Sequence, residues 1–263
     1  MGMAKYLPAR ILALASFAFV LVMNAVATAL PLSGLSVGQV SDKYTTLFAP
    51  IDFTFGIWGL IYLGLTVYTF TQLFQDTETI QKITPWFIAA NIFNGSWIIA
   101  WRLEILWLSS LILIGLLLCL FMINQVTTKK RSTIEETISV RLPFAIYFGW
   151  VTVATIANIS SFFVQLGYQE GFLGLSAESW TVAILIVATL IGTATALLNS
   201  SPAYSLVLVW AFYGIYSRHT SAFEWNFQYP SIILGTQVLM AVLVLVSVGA
   251  GVRWLRAKVT QAY

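Results

Sequence analysis

Eight long apolar runs divide this chain, at roughly 11–32, 53–74, 84–103, 105–126, 141–166, 179–198, 202–217 and 230–252. Each can cross about 30 Å of hydrocarbon as a helix, the run at 202–217 being the shortest. A backbone inside lipid has to satisfy its own hydrogen bonds, and the runs lack the strict alternation of barrel strands, so they predict helices. Composition agrees: 59% of the 263 residues are hydrophobic and 9% are charged, against about 25% charged in a typical soluble domain. The expected fold class is an all-α integral membrane protein with about eight transmembrane helices, whose first partner is the lipid bilayer.

Lys5 and Arg10 precede the first run, and Ala25-Val26-Ala27 resembles a cleavage site. A secretory apolar core is about 7 to 15 residues. This run is longer, so a retained first span is expected. With both termini inside, the inner segments hold Lys5, Arg10, Lys82, Lys129, Lys130, Arg131, Arg141, Arg253, Arg256 and Lys258. The outer segments hold only Lys43, Arg102 and Arg218. That asymmetry predicts an N-in, C-in topology. The formal charge of +3 is thus a matter of topology, and no nucleic-acid partner is implied. Bacterial plasma membrane is the expected location, with a thylakoid membrane as the alternative.

Ionisable residues within a membrane usually mark ion pathways and proton relays, and none lies in the middle of a run. Asp52, Arg102, Glu104 and Arg141 sit at run ends, where snorkelling is the simplest account. His219, the one histidine, reads as a solvated loop residue rather than a ligand, and a bis-histidine haem site is excluded. Cys119 is the only cysteine, which rules out an intrachain disulfide and a cysteine-based metal site. No Ser-His-Asp set, HExxH, CxxC or phosphate loop is present. No catalytic residue, metal or required cofactor is therefore expected.

The loops are short. The longest, 33–52, is outside. The inner segment TTKKRSTIEETISV reads as a topology anchor, with a regulatory surface as the alternative. Only Arg102, Leu103 and Glu104 separate the third and fourth runs, which predicts a tight hairpin. The outer segment 167–178 carries Glu170 and Glu178, and 218–229 mixes charge with aromatics as an interfacial loop does.

The remaining polar chemistry is neutral and sits beside aromatic rings. FAPIDFTFGIWGLIY (Phe48–Tyr62) places Trp58 and Tyr62 four apart on one helical face, beside Gly56 and Gly59. An interfacial aromatic belt would give the same pattern. In the third run, Asn91, Asn94 and Trp97 recur at spacing three. An asparagine amide can fix the polar rim of a ligand or bond between helices. In the fifth, Trp150, Ala154 and Asn158 recur at spacing four, where Ala154 and Gly149 also suit close packing.

Three of these stretches resemble the TspO/MBR family, the tryptophan-rich sensory or translocator proteins. FAPIDFTFGIWGLIY is similar to its loop-to-second-helix motif, with Pro50, Phe55, Trp58 and Tyr62 in the matching places. NGSW (Asn94–Trp97) resembles its third-helix spacing. WVTVATIAN resembles its fifth-helix pattern at Trp150, Ala154, Thr155 and Asn158. Ala90 stands where the family has glutamine, Pro143 lies seven residues before Trp150, and ANISSFFVQL lacks the sterol-recognition pattern of animal members. The resemblance implies a five-helix unit over residues 1–166, extended by a three-helix unit with a basic tail over 167–263. It implies an intramembrane pocket for a planar hydrophobic small molecule of the porphyrin or haem-like class, used in sensing or transport without catalysis. Candidate site residues are Phe55, Trp58, Tyr62, Asn91, Asn94, Trp97, Trp150, Ala154 and Asn158. Uncoupled transport or export, and a porphyrin- or lipid-modifying enzyme, are the alternative readings. A homo-oligomer is compatible with the last three runs.

Overall fold

A computed structural model describes residues 2–29, 35, 37–129 and 133–259. Its helices are α1 (Gly2–Ala29), α2 (Val37–Lys43), α3 (Ile57–Phe74), α4 (Glu78–Arg102), α5 (Leu106–Lys129), α6 (Ile134–Glu136), α7 (Leu142–Gln165), α8 (Ala177–Leu198), α9 (Pro202–Thr220) and α10 (Pro230–Val259). A 3-10 turn, Asp52–Gly56, precedes α3, and a π turn, Thr137–Arg141, precedes α7. Two short strands, β1 (Gly171–Phe172) and β2 (Leu175–Ser176), pair as an antiparallel hairpin. The protein is an all-α multi-pass membrane protein. Six helical segments are long and apolar enough to cross a membrane. The expected third and seventh spans, α4 and α9, are 25 and 19 residues long but less apolar.

The chain forms two compact units, Met1–Tyr44 with Gly59–Phe162, and Thr45–Trp58 with Phe163–Tyr263. The outer segment before α3 therefore belongs with the C-terminal helices.

In the first unit α4 packs against α1, α2 and α5. Thr77 caps its N-terminus by accepting from the Ile80 amide at 3.2 Å. The expected hairpin between α4 and α5 is present. Glu104 takes φ 59°, and the Ile105 amide returns to the Ala100 carbonyl at 2.9 Å. Four rings knit α1, α3, α4 and α7 together: Tyr68 meets Phe87 at 4.9 Å and Phe144 at 4.7 Å, and Phe17 meets Phe87 at 6.2 Å. Gly95 on α4 lies so close to the Phe19 ring that a Cβ there would overlap it. Small residues permit this approach where van der Waals packing drives association.

Arg102 corrects the snorkelling expectation. It is 3% exposed and donates to the Ala27 carbonyl at the end of α1. The uncapped carbonyls of a helix C-terminus carry partial negative charge, so a guanidinium is stabilised there. At the other end of the unit, Arg10 is also buried. It pairs with Asp76 at 2.8 Å and donates to the Leu73 and Gln75 carbonyls that end α3.

In the second unit α9 packs against α8, α10 and the 3-10 turn. Ser205 on α9 shares a buried 2.8 Å hydrogen bond with Ser247 on α10. Outward-facing leucines such as Leu190 and Leu245 are mostly exposed, as lipid-facing positions require.

Candidate ligand site

Helix α4 carries three of the candidate residues. Asn91, Asn94 and Trp97 are all buried, so the spacing of three does place them on the inward face. The two amides reach different neighbours. Asn91 Nδ2 donates to Ser16 Oγ on α1 at 3.0 Å. Asn94 Nδ2 donates to the Tyr147 hydroxyl on α7 at 2.5 Å. The Tyr62 hydroxyl on α3 has the side chains of Asn94 and Asn24 as hydrogen-bonding neighbours. On α7, Asn158 accepts from Ser109 Oγ of α5 at 2.9 Å. Five helices are joined by neutral side-chain hydrogen bonds with no charge in the set.

All three of these amides keep capacity in reserve, Asn94 through its buried Oδ1. Ser16 spends its proton on the Ala13 carbonyl at 2.8 Å. It can only accept from Asn91, which fixes the amide orientation and leaves Asn91 Oδ1 as a buried acceptor with no hydrogen bond. A buried polar group without a partner costs roughly 1–3 kcal/mol. Asn158 Nδ2 is likewise buried without a hydrogen bond. The single proton of Ser109 can go instead to the Leu106 carbonyl at 3.0 Å, so turning the Asn158 amide over would exchange one unused polar atom for the other.

Buried tryptophan rings lie on the same helices as these amides. Trp150 is 2% exposed, and Ala154 beside it is half-buried. Trp97 stacks on Trp101 with ring centroids 6.2 Å apart and planes 27° from parallel. Asn91 also lies three residues beyond Ile88, which lines a cavity of about 120 Å³ between α1 and α4 together with Arg10, Thr84 and Pro85.

Phe55 and Trp58 belong to the second unit, while the other seven candidates belong to the first. The buried stripe of α3 is Ile57, Ile61, Leu65, Tyr68 and Gln72, with Trp58 and Tyr62 half-buried on its flank. An added Cβ at Gly56 or Gly59 would meet nothing within 4 Å.

Sequence reasoning missed Ser16, Tyr147 and Ser109 as partners. Tyr147 carried a signal, since it stands three residues before Trp150 and seven before Ala154, on the same helical face. Tyr68 and Gln72, four apart and fully buried, carried a similar one. Ser16 and Ser109 had none, because a serine in an apolar run reads as packing. Among the described residues no group of three or more His, Cys, Asp or Glu side chains converges.

In the second unit the polar groups of α9 act differently. Trp210 Nε1 donates to the Thr54 carbonyl at 2.9 Å, and the Ile51 amide donates to the Gly214 carbonyl at 3.2 Å. Phe53 packs edge-on to Trp210 at 5.6 Å. His219 corrects the expectation of a solvated loop residue. It is fully buried in the last turn of α9, with Nε2 2.9 Å from the Leu47 carbonyl. The expected interfacial loop also starts with helix, since α9 runs to Thr220.

A family model for TSPO-like protein matches residues 10–249, from within α1 to within α10, and so reaches past the first five long helices into the last three. No curated protein and no solved structure matches the chain.

Proposed function

The chain belongs to the TSPO-like protein family, and on that premise we propose that its first unit binds a planar hydrophobic small molecule of the tetrapyrrole class for sensing or transport. The observation that carries this reading is the buried acceptor Asn91 Oδ1, left without a hydrogen bond in a unit lined by rings. Membrane helices gain little from hydrophobic contact with each other, so unused polar capacity at their centre is costly unless something comes to use it. A flat ligand would stack on Trp150 and Trp97, while Asn91, Asn94 and Asn158 bond its edge and Ala154 leaves room beside it. Tyr62 and Tyr147 orient Asn94. Phe55 and Trp58 fall outside this set.

We read the activity as binding without catalysis, because the network contains hydroxyls and amides but no acid–base pair able to move protons near neutral pH. A bacterial plasma membrane remains our proposed location, with a thylakoid membrane as the alternative.

The test is a titration of the purified protein with protoporphyrin IX, followed by tryptophan fluorescence quenching. Asn91→Leu removes the unused acceptor and should weaken binding about tenfold, the scale of one lost charge-free hydrogen bond. Trp150→Phe should weaken it by several-fold at most, since a ring remains. Affinity that is the same in wild type and both variants would overturn the assignment. Uptake into proteoliposomes then separates transport from sensing.

A further inference from the structure

His219 is the only histidine in the chain, and its surroundings suit a neutral ring. It lies just beyond the apolar run that ends at residue 217. Its ring stacks on Trp225 with centroids 6.1 Å apart and planes 18° from parallel, and meets Tyr229 edge-on at 5.6 Å. Nε2 faces the Leu47 carbonyl, an acceptor, so the proton of the neutral ring sits on Nε2. Nδ1 is then a bare lone pair. It is buried and has no hydrogen-bond partner.

The charged neighbours do not favour a second proton. Arg218 precedes the ring and opposes a positive charge on it. Arg218 is itself engaged with Glu224 at 3.1 Å. Glu178, at the start of α8, acts in the other direction but is a lesser influence, and it accepts from Ser231 Oγ at 2.5 Å. Tyr229 presents its ring. Burial, the largest influence, holds the imidazole below its ordinary value, against the bond to the Leu47 carbonyl, which acts the other way.

What His219 holds is the segment that leads into α3. Leu47 lies in the same short stretch as Ile51, whose amide donates to Gly214, and Thr54, whose carbonyl accepts from Trp210. These contacts all lie within the second unit.

We propose that His219 is a pH-sensitive latch that fixes residues 45–58 on α9 and releases them when the imidazole takes up a proton. Protonation puts an N–H at Nδ1 where no acceptor faces it and a positive charge where no counter-ion touches it. The ring must then move toward water, and the bond to Leu47 goes with it. The linkage has a definite sign. Folding holds the imidazole pKa below its unfolded value, so the latch is fully set above about pH 6.5 and fails as pH falls through the folded value.

The full-length protein in nanodiscs provides the test, by hydrogen exchange resolved to peptides covering 45–58 and corrected for intrinsic rates. Between about pH 7.5 and about pH 5, exchange there should rise about tenfold or more, while peptides of α4 stay unchanged. Because the chain has one histidine, nitrogen-labelled imidazole reports its titration directly. That midpoint should fall below about 6.5 and coincide with the exchange step. His219→Gln keeps a donor for Leu47 but cannot titrate, and should abolish the step. A wild type with no step, a midpoint at or above the solvent value, or an equal step in His219→Gln would each overturn the latch. The first two readouts need no variant, so a poorly folded His219→Gln protein leaves the proposal open to refutation.

Discussion

Helices α4 and α9 invite comparison. Each packs against several neighbours within its own unit, more than half of each is buried, and neither is among the six segments apolar enough to be recognised as spans by composition. A helix surrounded by protein is released from the hydropathy that lipid demands. The two spend that freedom differently. On α4, Asn91 and Asn94 bond other side chains, Ser16 and Tyr147, and leave the Asn91 acceptor unused. On α9, Trp210 and His219 bond backbone, the carbonyls of Thr54 and Leu47, and hold a chain segment in place. An amide with an unused atom can take up a guest, whereas a bond to a fixed carbonyl mainly fastens. The ligand reading therefore belongs to α4 and the fastening role to α9.

The largest expected effect tests the fastening. A Cβ at Gly214 would overlap Thr54 Oγ1 and stand 2.9 Å from Pro50 Cβ. Gly214→Ala should destabilise the second unit by about 1–3 kcal/mol, the usual cost of overpacking. It should also expose residues 45–58 to protease at every pH, in contrast to the pH-dependent release expected at His219. A variant as stable and as protected as wild type would show that the segment is not seated on α9 through this glycine.

A matched pair sharpens the contrast. Asn94→Leu removes the buried hydrogen bond to Tyr147 and Trp210→Phe the part-buried one to Thr54, and each should cost about 1 kcal/mol in thermal or denaturant unfolding. Their effects on protoporphyrin affinity should diverge, with loss for Asn94→Leu and none for Trp210→Phe. Equal affinity in the two would erase the distinction between a site helix and a fastening helix.

The number and placement of the long helices were legible because lipid imposes length and hydrophobicity that a reader can count. So was the inward face of α4, since Asn91, Asn94 and Trp97 follow helical spacing. What escaped has specific causes. His219 and Arg102 look like residues for water, and only tertiary packing supplies the carbonyls of Leu47 and Ala27 that let them be buried. Trp58 and Tyr62 do lie four apart, yet the inward stripe of α3 runs one residue to the side through Ile57 and Ile61. Spacing gives a shared face but does not say which face is inward. The motif Phe48–Tyr62 reads as one piece in sequence, and the chain divides within it at Trp58. That division depends on contacts with α9, more than 150 residues away in the case of Trp210 and Thr54.

The smallest expected effect comes from the counterpart of the His219 latch in the first unit. At the end of α4, Glu104 accepts from Tyr44 at 2.6 Å and pairs with Lys43, so it too ties an outer segment to the end of a central helix. The difference is exposure. Lys43 is half-exposed and Glu104 is 22% exposed, so water and salt screen the pair and it contributes little. The hydrogen bonds from Lys43 and Tyr44 hold the Glu104 carboxyl below its ordinary value. The stabilisation is therefore present above the unfolded carboxylate value and is lost as pH falls through the lower folded one. Glu104→Gln should leave the unfolding temperature nearly unchanged near neutral pH. It should flatten only the acid end of its pH dependence, below about pH 4.5. The His219 latch should fail at higher pH, below about 6.5, because it loses stability by gaining a buried charge, whereas the Glu104 clasp loses it by surrendering an exposed one. Exchange measured at the Lys43–Tyr44 and 45–58 peptides in one pH series would resolve the two steps, and a single shared midpoint would show that one group governs both segments.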